Sequence, residues 1–407
     1  MMADDIMDVV IIGGGLAGAK AAETLRIAGF EGVIRLLGDE PERPYERPPL
    51  SKGVLIGDVP AEDAFVHAAD FYAEHDIDLV TDDGATRLDR DAGEVVTRSG
   101  RRMRFDRLLL ANGARPRDLP LEVPGALTLR TLDDSHRLGQ RLRDVRHVTI
   151  VGAGWIGCEV AAAARQLGTD VTMVDPLDVP LQRVLGAELG TVFARLHRDH
   201  GVDLRLGVGV DGAAGDGDQV ESVRLTDGTT IATELVIVGI GVVPNTELAT
   251  GAGLEVDDGI VVDATLRTTD HRIFAAGDVA NAFHPHYGRH LRVEHWANAL
   301  HQGPAAARNM LGGSEPFDRL PYFYSDQYDL GLEYVGHPAD GSELVVRGDL
   351  DAREFIAFWV ADGRVTAAMN VNVWDVVEDL KTLILDRTPI AESRLRDPSV
   401  PLAELAP

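Results

Sequence analysis

Two glycine-rich turns of one pattern, about 140 residues apart, constrain the fold of this chain more than any other feature. The first holds Gly13, Gly15 and Gly18 in VVIIGGGLAG, the second Gly152, Gly154 and Gly157 in VTIVGAGWIG. Each follows an apolar β-branched run and opens an alanine-rich helical pattern. A strand therefore feeds a helix whose free backbone N–H groups point at a pyrophosphate. Each turn is also followed by an acid at the distance a ribose-binding carboxylate needs: Asp39 lies 21 residues past Gly18, and Asp175 lies 18 past Gly157. One such motif is matched by many ordinary strand-to-helix turns. Its duplication, with both acids in place, predicts two dinucleotide sites and hence two cofactors.

Composition excludes several classes. With 39 basic and 66 acidic residues the formal charge is −27, which argues against nucleic acid, because a phosphate-tracking protein needs a net basic face. No apolar run approaches the roughly 18 residues of a membrane helix, and MMADDIMDVV has acids but no base before Lys20, so a cytoplasmic location is expected. The one cysteine, Cys158, sits in the second glycine-rich turn and reads as a small buried residue. A lone thiol cannot form an intrachain redox pair, which removes the dithiol route of disulfide reductases.

The pattern along the chain predicts an α/β fold. A first strand-turn-helix unit covers about residues 8–28, followed by the strand GVIRLLGD, a polar proline-rich loop from Glu40 to Lys52, and the strand-like FDRLLLANGARPR. VTIVGAGWIG, VTMVDP, VDLRLGVGV and ELVIVGIGVVPN then read as βα alternation on a second parallel sheet. The run IFAAG reads as a strand presenting Asp278 at its carboxyl end, where such sheets bind ligands. The expectation is two Rossmann-like dinucleotide-binding domains, the second inserted into the first, plus a C-terminal α+β domain. The boundaries are 1–116 and 246–319 for the discontinuous first domain, 117–245 for the second, and 320–407 for the last.

In order and spacing, the segments RPPLSK (47–52), LLLANGARPR (108–117), GIGVVPNTEL (239–248), TTDHRIFAAGDV (268–279), VEHW (293–296) and YFYSDQYD (322–329) join the two glycine motifs in a family resemblance. The chain resembles the single-component, FAD-dependent, NADH-linked ferredoxin reductases of bacterial oxygenase systems, a branch of the glutathione-reductase superfamily. The resemblance implies FAD on the first unit and NADH on the second. On the FAD side it implies Gly13, Gly15, Ala17 and Gly18 at the pyrophosphate, Asp39 at the adenosine ribose and Ala85 at the adenine. It places Arg130 near the pyrophosphate, Asp278 at the ribitol chain, Arg47 and Lys52 on the flavin side, and Glu294 and Trp296 beside the isoalloxazine. On the NADH side it implies Gly152, Gly154, Ile156, Gly157, Glu159, Asp175, Arg183 and Gly241.

Hydride transfer needs a tuned charge near the flavin, and Lys52 is the expected cation, with Glu159 as its counterion; these two are the expected catalytic residues. Read without the family, Lys52 is equally a solvated loop lysine and Glu159 a helix-start acid favoured by the macrodipole. Asp175, followed by no base among Pro176, Leu177 and Asp178, predicts NADH over NADPH. Arg183 reads either as flanking the adenosine of NADH or as a surface arginine. With no dithiol, the resemblance implies that electrons pass singly to a [2Fe–2S] ferredoxin, and through it to a terminal oxygenase. The expected docking patch is the loop of His284, His286, Arg289, His290 and Arg292. Those histidines lack an accompanying Cys, so no metal is expected. An NADH oxidase or quinone reductase is the alternative, and a redox-signalling protein resembling apoptosis-inducing factor is disfavoured by the acidic charge. Either a monomer or a dimer fits the sequence.

Overall fold

A computed structural model describes residues 6–405, so most of the acidic start read above lies outside the described residues. The chain divides into two compact units. Met1–Glu46, Ala64–Arg115 and Pro244–Phe323 form one, and Arg47–Asp63, Pro116–Val243 and Tyr324–Pro407 form the other.

The first unit is built on a five-stranded parallel sheet in the order Ile273–Ala275, Arg107–Leu110, Asp8–Ile12, Val33–Leu37, Ile77–Val80. Parallel strands covered on both faces need apolar side chains throughout, and Val9, Val10, Ile11 and Leu108 to Leu110 have no solvent exposure. From Asp8–Ile12 the chain proceeds outward in one direction through the next two strands and later returns on the other side. The carboxyl end of Asp8–Ile12 is thus the switch point where such sheets open a crevice, and Gly13 to Gly15 lie there. The helix Leu16–Ile27 runs close against the helix Trp296–Met310: a Cβ on Gly303 would stand 2.2 Å from the Ala17 carbonyl oxygen.

The second unit repeats this logic. Its parallel sheet has the order Val202–Leu206, Asp170–Asp175, His147–Val151, Leu235–Val238, with the switch point at the end of His147–Val151, where Gly152 to Gly154 lie. The run VDLRLGVGV does not stay in this sheet. It turns at Gly207, φ 75°, and its last residue, Val210, opens an antiparallel meander, Val210–Asp216, Gln219–Leu225 and Thr230–Ala232. The C-terminal segment forms a five-stranded sheet in the order Tyr322–Gln327, Leu330–Gly336, Arg364–Val371, Glu354–Ala361, Glu343–Asp349, against which the helix Val377–Asp386 packs.

Residues 47–63, grouped by sequence with the 1–116 segment, fall in the second unit. The cause is the helix Leu132–Asp144, whose Ser135 donates to the Leu50 carbonyl at 2.8 Å and whose Arg143 donates to the Ile56 carbonyl at 2.6 Å. The expected loop is itself ordered there into a turn of 3-10 helix, Pro48–Ser51, and a short helix, Gly53–Ile56. Among the described residues no helix is long and apolar enough to cross a membrane.

Candidate active site

The two glycine turns are built alike, each within its own unit. The first glycine of each allows the turn to press on a neighbouring strand end: a Cβ on Gly13 would stand 2.1 Å from the Ala111 carbonyl oxygen, and one on Gly152 2.4 Å from that of Gly239. The third lets the helix approach its own turn, with a Cβ on Gly18 or Gly157 falling 2.1 or 2.0 Å from the carbonyl oxygen of Gly13 or Gly152. The middle glycines face open space: nothing lies within 4 Å of a Cβ on Gly15, and only the Gly239 oxygen, at 4.0 Å, meets one on Gly154.

Both following helices, Leu16–Ile27 and Trp155–Gln166, begin without a side-chain cap and without an acid in the first turn. The helix Leu132–Asp144 shows the contrast, starting with a Thr131–Asp134 capping box and with Asp133 and Asp134 in its first turn. Two helix starts with free N–H groups, positive dipole ends and open space before them suit two diphosphates, so the residues present fit FAD and NAD(H).

The other first-unit residues are distributed as follows. Asp39 is exposed, ion-paired with Arg98, and pressed on Gly84, where a Cβ would stand 2.3 Å from Asp39 Oδ1. Ala85, next in the chain, opens the strand Ala85–Asp89. Asp278 lies in the turn Gly277–Val279, just past the carboxyl end of Ile273–Ala275, and its carbonyl accepts from Arg292 at 3.4 Å. Glu294 pairs with Arg292, and Trp296 starts the helix Trp296–Met310.

In the second unit, Asp175 accepts from the Ala153 N–H at 2.7 Å and the Leu177 N–H at 2.8 Å, which fixes its carboxylate beside the glycine turn. Ile156, 42% exposed, is an apolar side chain left at the surface on the first turn of its helix. Gly241, φ 102°, and Arg183, on the first turn of Gln182–Asp199, are both exposed. Arg47 donates to the Arg130 carbonyl, which brings those two residues together.

Lys52 and Glu159 form an ion pair, Nζ to Oε1 2.9 Å, in which the glutamate side chain is 7% exposed and the lysine 21%. Two serines complete the carboxylate shell: Ser51 donates to Oε2 at 2.5 Å and Ser325 to Oε1 at 2.7 Å. A buried carboxylate with three donors is compensated for its lost hydration, and the ammonium is held at one point. Lys52 Nζ also lies 5.6 Å from the centre of the Tyr324 ring. Nearby, loss of hydration pushes the Asp326 carboxyl up, against the pull of Lys52 and with the Glu159 charge adding to the rise. The Cys158 thiol has no exposure and is pushed up by burial, then by Glu159 and Asp175, so it stays protonated and inert.

The two serines lie within the RPPLSK and YFYSDQYD segments, yet their sequence separations from Glu159, 108 and 166 residues, hide the contact. Gly84 carries no local signal, because its constraint comes from Asp39, 45 residues earlier in the chain.

The segment expected to be an exposed docking loop is only partly exposed. It is a β-hairpin, Ala280–His284 against Arg289–Arg292, whose alternation turns part of the cluster inward. His284 is buried and bonded to the Arg319 carbonyl at 2.9 Å; Arg292 is largely buried, 3.2 Å from Asp258 and paired with Glu294. Arg289 and His290 remain exposed, with His286 partly so, and Phe283, 36% exposed, stands edge-on to His290.

A family model described as pyridine nucleotide-disulphide oxidoreductase matches residues 7–303, and one described as reductase C-terminal matches residues 322–406. The chain is 39% identical to putidaredoxin reductase of Pseudomonas putida, over 98% of this chain and 96% of that protein. It is 40% identical to the ferredoxin–NAD(+) reductase component of the anthranilate 1,2-dioxygenase system of Burkholderia cepacia, over 97% and 98%. Among solved structures, the reductase of the covalent putidaredoxin reductase–putidaredoxin complex superposes with a TM-score of 0.94 at 39% identity, covering 98% of this chain and 97% of that one.

Proposed function

Because the chain belongs to the pyridine nucleotide-disulphide oxidoreductase family, we propose that it is an FAD-dependent NADH:ferredoxin reductase, passing electrons to a [2Fe–2S] ferredoxin that feeds a monooxygenase or a Rieske dioxygenase. The observation that carries this reading is the pair of open, uncapped glycine turns, one in each unit, which suit two dinucleotides in one chain. We assign FAD to 1–116 and 246–319, NADH to 117–245, and the C-terminal domain to 320–407. We place the protein in the cytoplasm.

When bound, NADH and FAD supply the redox chemistry, a hydride passing from nicotinamide to flavin and electrons leaving for the acceptor. The chain's own work is positional and electrostatic. Glu159, Ser51 and Ser325 hold the Lys52 ammonium, a fixed positive charge for the flavin side of the site. Asp175, its carboxylate set by two backbone N–H groups, receives the adenosine ribose of NADH and repels a 2′-phosphate. With one cysteine in the chain, and that one buried, no dithiol lies on the exit route. Phe283, His286, Arg289 and His290 offer a small apolar and cationic contact for an acidic ferredoxin.

The test is NADH consumption by FAD-loaded protein in air, with and without a [2Fe–2S] ferredoxin coupled to cytochrome c reduction. Slow turnover that rises steeply and saturably with ferredoxin is expected. Fast turnover indifferent to ferredoxin would make the protein an NADH oxidase or a quinone-type reductase instead.

A further inference from the structure

We propose that His197 and Gln327 are positioning residues for the Lys52–Glu159 pair: with Tyr328 and Ser325 they form a one-way chain of hydrogen-bond donors that ends on the Glu159 carboxylate and fixes its orientation toward Lys52. The proposal rests on the role given above to Lys52 and Glu159. Every residue involved belongs to the second unit. His197 has no solvent exposure, and Ser325 and Gln327 have 1% each, so none of these polar groups can exchange its partner for water.

The direction of the chain follows from its acceptor end. An ionised carboxylate only accepts, so the single hydrogen of Ser325 goes to Glu159 Oε1, 2.7 Å away. Ser325 Oγ must then accept from Gln327 Nε2 at 3.3 Å, which orients the amide. Gln327 Oε1 in turn faces His197 Nε2 at 3.1 Å, so Nε2 carries the ring proton. Nδ1 is left as an acceptor, 3.3 Å from the Tyr328 hydroxyl, which donates. Flipping the Gln327 amide would aim its carbonyl at Ser325, take the serine hydrogen away from Glu159, and leave an oxygen lone pair against the carboxylate.

The surroundings suit a fixed chain. Burial lowers the His197 pKa to about 4, with Gln327 opposing and His200 adding to the fall, so the ring is neutral and can donate from one nitrogen while accepting at the other. Tyr328 sits at φ 56°, a conformation that favours glycine, and its ring stacks on His200 with centroids 3.7 Å apart. The charged and titratable neighbours are few. Glu159 faces Lys52 and Asp326, with Cys158 beside it; Tyr328 faces Cys158 and Arg165; His200 faces Asp329 at 3.8 Å.

Two measurements on FAD-loaded protein test the proposal. Nitrogen NMR of histidine-labelled wild type should show His197 neutral with its proton on Nε2, and a proton on Nδ1 overturns the chain without need of any variant. Stopped-flow flavin reduction by NADH should then be followed against pH. In Gln327→Met the Ser325 hydroxyl loses the partner that aims it at Glu159, so the acid limb should move up by about one pH unit, whereas His197→Gln, still able to donate to Gln327, should keep a limb near that of the wild type. A loss of rate equal at every pH, or an unmoved limb in Gln327→Met while Glu159→Gln abolishes it, overturns the positioning role and leaves the Lys52–Glu159 reading standing. If Lys52→Met and Glu159→Gln themselves leave rate and limb unchanged, that reading falls and takes this proposal with it.

Discussion

At the scale of single residues, the middle glycine of each turn is set apart from its neighbours by what surrounds it. Gly18 and Gly157 are glycines because a carbonyl oxygen of their own turn occupies the space of a Cβ; Gly15 and Gly154 have no such neighbour. The two kinds should therefore fail differently. Gly18→Ala should destabilise the protein itself, whereas Gly15→Ala, at φ −97° and with room for a methyl, should leave the thermal midpoint of the cofactor-free protein within about 2 °C of wild type. FAD retention should nevertheless drop by at least about tenfold, because the methyl meets the diphosphate. Calorimetry of apoprotein together with flavin retention on dialysis separates the two effects; a Gly15→Ala protein that keeps its flavin would place the diphosphate elsewhere. Asp175 carries a second prediction at this scale. A fixed carboxylate facing a 2′-phosphate costs several kcal/mol, so kcat/KM should favour NADH over NADPH by roughly 100-fold or more. Comparable values for the two coenzymes would refute the assignment.

At the scale of elements, the turn before the strand Ile273–Ala275 is pinned by Asp270, 8% exposed, which accepts from Arg272 at 3.0 and 3.1 Å and from Arg90 at 3.2 Å. Burial alone would raise the Asp270 carboxyl, but the hydrogen bonds from Arg272 and Arg90 outweigh it and hold it well below the usual carboxylate range. A depressed folded-state pKa contributes stability that is complete above the unfolded value, about 4, and is lost as pH falls through the folded one. Asp270→Asn should thus cost about 2 kcal/mol at neutral pH, and its denaturation midpoint should converge with that of wild type in acid; a constant gap across pH would remove the ion pair as the cause. Elements of this kind differ in how far their sequence announces them. The two strand-turn-helix units, the strand Ile273–Ala275 and the C-terminal strands are legible because their signals are local: apolar runs, glycine spacing, alternation. The placement of residues 47–63 is not, since it is decided by Ser135 and Arg143 more than 80 residues onward. His284 and Arg292 read as loop cations because sequence shows their charge but not the hairpin register that turns them inward. Ser51 and Ser325 illustrate the same limit in the site, where two segments visible as motifs meet on one carboxylate that neither motif identifies.

At the scale of the molecule, a formal charge of −27 opposes any acidic partner from a distance, while Arg289 attracts it on contact. Screening acts on these two terms in turn, because the Debye length falls from about 30 Å at 0.01 M salt to about 8 Å at 0.15 M. Ferredoxin-dependent turnover should therefore rise with ionic strength, pass through a maximum and decline, and Arg289→Glu should remove the decline. A steady increase in the wild type would mean that the hairpin supplies no attraction. The interleaving of the two units in the chain bears on how the protein is made. The strand Arg107–Leu110 emerges from the ribosome early, but Ile273–Ala275, which covers its outer edge, is encoded about 160 residues later, a delay of roughly 8 to 30 s at ordinary rates of synthesis. For that interval a strand carrying three consecutive leucines has an open backbone ladder on one side. The nascent chain thus passes through a stage at which chaperones, or a neighbouring ribosome's copy, compete for a seat that the finished protein fills with its own late strand.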